Sequence, residues 1–204
     1  MQSNIERKYN KLCHTRSDIN EHLPTLFKYA SGCESIFETG VRGCVSSWAL
    51  ISGLLNNNKP VKKILLNDIN KCNIDELLQL TNDLDIDVKY AWINNLDLDI
   101  EEEVDLTFID TWHVYGQLKR ELDKFSKITK KYIIMHDTTV DAIHGGTVRM
   151  NQDAKQQSLD SGIPVEEITK GLWPAITEFL ENNDDWLLNE RFNNNNGLTV
   201  LQRV

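Results

Sequence analysis

At 204 residues the chain has room for one domain around a single well-buried core. Its 40% hydrophobic and 26% charged content suits a globular protein in water, and no apolar run reaches the length that spans a bilayer. The net charge of −9 disfavours broad nucleic-acid binding and favours a neutral or cationic ligand.

Residues 1–11 are polar and mixed in charge, unlike a signal or transit peptide, so a cytoplasmic location is expected. Cys13, Cys33, Cys44 and Cys72 form no CxxC pair and no zinc-finger spacing with histidine; they read as reduced thiols.

Along the chain, Asp18 followed three residues later by Glu21 resembles a capping box. A helix carrying Leu23, Leu26, Phe27 and Ala30 follows it, with Pro24 in its first turn. Residues 35–38 read as a short strand ending at Thr39-Gly40, and 44–55 as a helix stopped by three asparagines and Pro60. A second strand is expected at 62–68. The helix expected at 75–84 places Leu77, Leu78, Leu80 and Leu84 on its apolar side. Strands at 87–94 and 104–110, a charged amphipathic helix at 115–128 and a strand at 132–136 complete an alternation that implies a parallel sheet covered on both faces. Residues 138–170 show no clear period. A helix then opens at Trp173-Pro174, and strands at 186–192 and 198–204 flank an Asn-Gly turn, the signature of an antiparallel hairpin.

Ligands of open α/β sheets bind at the carboxyl ends of the strands, and the chemically informative residues fall there. The first strand runs into Glu38-Thr39-Gly40-Val41-Arg42-Gly43, where Gly40 and Gly43 permit a tight turn and close backbone approach. Only part of a dinucleotide phosphate loop is present, and Glu38 suits an ammonium and a sulfonium better than a pyrophosphate. Asp68 ends the second strand, where a carboxylate can accept from vicinal ribose hydroxyls. Asn94-Asn95 closes the third, at a place for either an adenine contact or a plain turn. The fourth ends Asp110-Thr111-Trp112-His113 and the fifth His136-Asp137-Thr138. Polar clusters ending adjacent buried strands are costly unless paired or bound.

The run Phe108-Ile109-Asp110-Thr111-Trp112-His113-Val114-Tyr115, followed by His136-Asp137-Thr138 at the next strand end, resembles the small class I S-adenosylmethionine-dependent O-methyltransferases. More narrowly it is similar to the group of macrocin-type and rhamnosyl sugar O-methyltransferases and cephalosporin-hydroxylase-like proteins, including rhamnose O-methyltransferase domains of chlorovirus glycosyltransferases. The Glu38-Thr39-Gly40 turn and the Gly171-Leu172-Trp173-Pro174-Ala175 segment fit the same pattern, so the likeness runs from about residue 35 onward.

The resemblance implies a single Rossmann-like α/β domain over 1–204, with a mostly parallel seven-stranded sheet, a C-terminal antiparallel hairpin and helices on both faces. Residues 1–34 would form an N-terminal helical cap and 138–170 an acceptor lid. It implies S-adenosylmethionine held by Glu38, Thr39, Gly40, Gly43, Asp68, Asp110, Thr111 and Trp112. His113, Tyr115, His136 and Asp137 would face a sugar or glycan acceptor, with no nucleic-acid or membrane partner. Asp110 and Asp137 match the places where metal-assisted relatives bind Mg²⁺ or Mn²⁺. Thr138 replaces the second of the paired acids after the fifth strand, which leaves metal dependence open. A homodimer, membership of a longer glycosyltransferase chain and, for a viral member, a place in the host cytoplasm are open too.

A sugar hydroxyl is barely ionised near neutrality and needs a positioned base or a metal. His113 titrates nearest neutrality and is the first candidate base; Asp137 would orient it or act as base itself, with His136 and His144 behind them. His144, Arg149, Asn151 and Gln152 could bind sugar hydroxyls, and Trp173 could stack on a sugar face or sit in the core. Two other readings compete. An NAD-dependent oxidoreductase or epimerase would use the Tyr115/Lys119 spacing as its catalytic pair, and a non-catalytic nucleotide-binding module would lack a base facing the acceptor.

Overall fold

The computed structural model describes residues 4–204; the first three residues of the expected N-terminal cap lie outside the described residues. Seven strands form one sheet: β1 (Ser35–Thr39), β2 (Lys63–Asp68), β3 (Asp87–Trp92), β4 (Val104–Ile109), β5 (Thr129–His136), β6 (Trp186–Phe192) and β7 (Leu198–Arg203). Their order is β3-β2-β1-β4-β5-β7-β6. The first five are parallel, and β7 runs antiparallel to both neighbours, so the last strand in sequence lies inside the sheet against β5. The expected hairpin and parallel run are both present.

Strand alternation divides the core into two layers. Ile36, Ile64, Leu66, Leu106, Phe108, Ile134 and Val200 face one way. They pack under α1 (Asn4–Cys13), α2 (Leu23–Ala30), α3 (Val45–Leu55) and α4 (Asp75–Thr81). Phe37, Ile109, Ile133, Met135 and Leu201 face the other way, under α5 (Tyr115–Phe125) and α9 (Leu172–Asn182). The helix α3 is buried almost all round, which explains its run of apolar and small residues with only serine as polar content. Together α1 and α2 lie against α3 and the sheet.

Several expectations shift. Asp18 does not cap the second helix: a 3-10 turn, Asn20–His22, intervenes, α2 has no side-chain cap, and Asp18 instead pairs with Arg42 at 2.8 Å. The α4 helix stops at Thr81, so only Leu77 of the four leucines is fully buried, while Leu78 and Leu84 are each 39% exposed. The α5 helix ends at Phe125 and β5 starts at Thr129, with Thr129 Oγ1 back-bonded to the Phe125 carbonyl at the junction.

The segment 138–170 is not aperiodic coil. It holds three short helices, α6 (Gly146–Arg149), α7 (Ala154–Ser161) and α8 (Val165–Thr169). Asp153 caps α7 by accepting from the backbone N–H groups of Lys155 and Gln156, and Gly162 ends it in the left-handed conformation. Each of these helices is too short to show a hydrophobic period, and α7 buries no residue. Among the described residues no helix is long and apolar enough to cross a membrane.

Candidate active site

The strand order reverses direction between β1 and β4, and at such a switch point the strand-end loops splay apart. A cleft of about 1120 Å³ opens there, lined from the β1, β2, β3 and β4 ends, from Asp137 after β5, and from α7 across the mouth. Its size exceeds that of an ordinary single-ligand pocket.

Gly40 makes the floor possible. Its φ is +92°, and a Cβ there would fall 1.8 Å from the Asp110 carbonyl oxygen. The turns after β1 and β4 thus pack backbone on backbone, with Asp110 N–H donating to the Thr39 carbonyl at 2.9 Å. Arg42 and Cys44 also take positive φ, at 42° and 61°, so the bends fall beside Gly43 and not on it. Gly43 has open space around it and does not line the cleft, which removes the reason to place it against a ligand.

Asp68 lines the cleft, and its two carboxylate oxygens accept from the backbone N–H groups of Arg42 at 2.9 Å and Asn70 at 2.8 Å. That leaves further lone pairs aimed at the ligand side. Ile69 beside it is 65% exposed yet lines the cleft, an apolar surface suited to a flat ring. Glu38 lies wholly buried below the floor and not on it. Ser46 donates to its Oε1 and nothing reaches Oε2; burial pushes its pKa up to about 7, against the opposing hydroxyls of Ser46 and Ser47. Thr39 and Thr111 line the cleft while their hydroxyls donate to Asn67 and Glu121, and Trp112 lines it while its indole N–H donates to Thr147.

The β4 and β5 ends supply an ion cluster. His113 Nε2 lies 3.2 Å from Asp110 Oδ1; its Nδ1 lies 2.9 Å from Asp137 Oδ2 and 3.2 Å from Asp141 Oδ2. Burial alone would lower the pKa of His113, but the three carboxylates raise it well above 6.5. Both ring nitrogens of His113 are engaged by carboxylates that favour its protonated form, so it is not placed as a free base. Asp110 is held well below the usual carboxylate range: burial acts to raise it, and the bonds from His113 and His136 prevail.

Asp137 adopts φ +57°, rare for a side-chain-bearing residue, and its buried Oδ1 has no hydrogen-bond partner. One ligand atom each from Asp110, His113 and Asp137 lie within 4.8 Å of one another. That carboxylate-rich set would fit a hard divalent cation only with His113 neutral.

Sequence reasoning missed Asp141, Arg149's role and Glu121. Asp141 is fully buried and takes a two-pronged ion pair from Arg149, at 2.6 and 2.8 Å, besides facing His113. A lone Asp in an aperiodic stretch carries no signal of this. Glu121 was read as one charge of an amphipathic helix, yet it is fully buried.

Other candidates lie elsewhere. His136 is buried, with Nδ1 3.5 Å from Asp110 and Nε2 3.2 Å from the Asn195 carbonyl, so it orients Asp110 and does not reach the cleft. Tyr115 turns away and bonds Glu178 and Lys119 on the α5–α9 face, so it does not face an acceptor. The Tyr115/Lys119 pair is outside the cleft lining, which removes the geometric basis of the oxidoreductase reading. His144 is exposed and forms a β-bridge with Lys170. Trp173 sits under Arg191, 3.4 Å from its ring centroid, and packs on the second core layer. Gln152 lines the cleft, and Asn151 does not.

Solved structures share this architecture. The O-methyltransferase TomG from Streptomyces achromogenes, in complex with SAM, superposes with a TM-score of 0.61 at 13% identity, over 100% of this chain and 87% of that one. The N-methyltransferase NodS from Bradyrhizobium japonicum WM9 gives 0.58 at 13% identity, over 91% and 96%. The SAH-bound methyltransferase PaMTH1 of Podospora anserina gives 0.58 at 14%, over 98% and 87%. The fold is that of the class I methyltransferases. No family model and no curated protein matches the chain by sequence. At these identities the likeness speaks for the fold, and the chemistry must be argued from the site.

Proposed function

We propose that the chain is an S-adenosylmethionine-dependent O-methyltransferase whose acceptor is a sugar or glycan hydroxyl, with terminal rhamnose the first acceptor to test. The observation that carries this reading is the meeting, in one cleft, of a ribose-accepting Asp68 and the Asp110–His113–Asp137 cluster. The cofactor chemistry agrees with the neighbours in fold, of which TomG holds SAM and PaMTH1 holds SAH. S-adenosylmethionine would supply a methyl group on a sulfonium.

The cofactor residues divide the work. Asp68 would accept from the ribose hydroxyls, Ile69 would cover the adenine, and the carboxylate of Asp110 would favour the cationic end. Glu38 would act from below, through the turn it braces. On the acceptor side, Gln152, Gln157, Asp160 and Ser161 line the cleft. Amides, a hydroxyl and a carboxylate suit a ligand that presents hydroxyls. Gln157 is held from behind, its Oε1 accepting from Thr147 at 2.7 Å.

Transfer requires the acceptor oxygen in line behind the methyl group, and a site for the proton it sheds. Asp137 lines the cleft and its Oδ1 accepts no hydrogen bond, facing only His136 Nδ1 at 3.7 Å, so Asp137 would take that proton. The His113 cation holds Asp110 and Asp137 in place and balances their charge. Asp110, His113 and Asp137 are also the residues that would hold Mg²⁺ or Mn²⁺, with His113 then neutral. A bound ion would lower the pKa of the acceptor hydroxyl.

The test is isothermal titration of the chain with S-adenosylhomocysteine and with NAD, with EDTA and then Mg²⁺ in parallel. A methyl-transfer assay on rhamnose-terminated and other sugar acceptors follows. Micromolar binding of the homocysteine compound without NAD binding is expected. Absence of that binding, or preference for NAD, would overturn the cofactor assignment. Binding without transfer to any sugar would overturn the acceptor.

A further inference from the structure

A single hydrogen-bonded chain runs beneath the cofactor side of the cleft. Asn67 Oδ1 accepts from Thr39 Oγ1 at 2.8 Å; Thr39 Oγ1 accepts from Asn95 Nδ2 at 3.0 Å. The same Asn95 amide donates to Glu121 Oε1 at 2.6 Å, and Thr111 Oγ1 donates to that oxygen at 2.6 Å. Gln117 closes the set, donating to Glu121 Oε1 at 2.8 Å and to Asn95 Oδ1 at 3.1 Å. Asn67, Thr39, Asn95 and Thr111 end β2, β1, β3 and β4, and all four line the cleft. Glu121 does not line it. It is wholly buried, with three donors on one oxygen and none on the other. An acidic group so placed is expensive unless its bonds are needed, and burial holds its pKa above the ordinary value.

We propose that Glu121 is a positioning residue for the cofactor: its Oε1 fixes the loop after β3 and the loop after β4 at one separation across the cleft, so that both ends of the ligand are gripped together. The proposal rests on the cofactor reading above. Because Glu121 touches neither the cleft nor the ion cluster through any recorded bond, its loss acts on cofactor affinity while leaving the acceptor side in place.

Full-length wild type, Glu121→Ala, Glu121→Gln, Thr111→Val and the Glu121→Ala/Thr111→Val double variant are titrated with S-adenosylhomocysteine, and each is melted without ligand. Glu121→Ala should raise Kd roughly tenfold or more, as expected for loss of hydrogen bonds to a charged group. Glu121→Gln, which keeps Oε1, should restore binding to within about threefold of wild type. Thr111→Val should raise Kd several-fold, and the double variant should lose less than the sum of the two in free energy, because both break the same bond. The acceptor KM should be unchanged.

Glu121→Ala binding like wild type while folded would overturn the proposal, as would strict additivity in the double variant. Should Glu121→Ala not fold, Thr111→Val decides alone: wild-type affinity would overturn the proposal. Wild type failing to bind S-adenosylhomocysteine is a different result, and it defeats the cofactor reading itself.

Discussion

The two halves of the cleft are built from different materials. The half proposed for the cofactor rests on amides and hydroxyls gathered on the buried carboxylate of Glu121, and its cleft-lining acid, Asp68, is held by backbone N–H groups. The half proposed for the acceptor concentrates charge: His113 lies among Asp110, Asp137 and Asp141, with Arg149 braced behind. Both halves keep a buried carboxylate oxygen that accepts no hydrogen bond and residues with side chains at positive φ, Glu38 and Arg42 on one side and Asp137 on the other. A dense hydrogen-bond network gives a rigid receptor; several charges clustered at one place give reactivity. Binding and chemistry should therefore separate cleanly under mutation.

The largest separation is expected at Asp137. Asp137→Asn keeps the size of the side chain and removes the proton acceptor. Steady-state kinetics should show kcat lower by roughly 10³-fold, with the Kd for S-adenosylhomocysteine within about threefold of wild type. Asp68→Asn should do the reverse, raising that Kd by about 10-fold or more while kcat at saturating cofactor holds. A Kd that moves with kcat in both variants would mean that the halves act as one unit.

A smaller effect tests the buried acid under the floor. The folded pKa of Glu38 is about 7, above its ordinary value of 4.5. Its contribution to stability is thus fully present below about 4.5 and is lost as pH rises to about 7. Denaturant titrations from pH 5 to 8 should show wild type losing on the order of 2 kcal/mol relative to Glu38→Gln, which does not titrate. A constant difference across the series would place the ionised form in the native state.

The smallest effect belongs to Gly43. Gly43→Ala meets no atom within 4 Å and should change the melting temperature by no more than about a degree or two. Gly40→Ala should prevent stable folding, since its Cβ would overlap the Asp110 carbonyl.

The sheet, the parallel run, the hairpin and most strand-end residues were legible because they depend on periods and turns that a sequence carries locally. Asp68, Asp110 and Asp137 could be placed at one edge by strand counting alone. Other features turn on distance. That His113 is enclosed by Asp110, Asp137 and Asp141 together is one: Asp141, 28 residues on, has no local signature. Whether Glu121 faces water depends on Asn95 and Thr111 closing over it. Gly43 was misplaced because two glycines look alike in a motif, and only the backbone angles tell which one bends the chain. The three short helices of 138–170 stayed hidden because four to eight residues are too few to show a period.

The placement of β7 carries a consequence for how the site comes into being. The β6–β7 turn supplies the Asn195 carbonyl to His136 and the Asn196 carbonyl to the N–H groups of Thr139 and Val140, just past Asp137. Without the hairpin, the Tyr132–His136 edge of β5 is unpaired and these supports are absent. The corner around Asp137 is thus completed by the last two strands, whereas the network from Asn67 to Glu121 draws only on the ends of the first four strands and on α5.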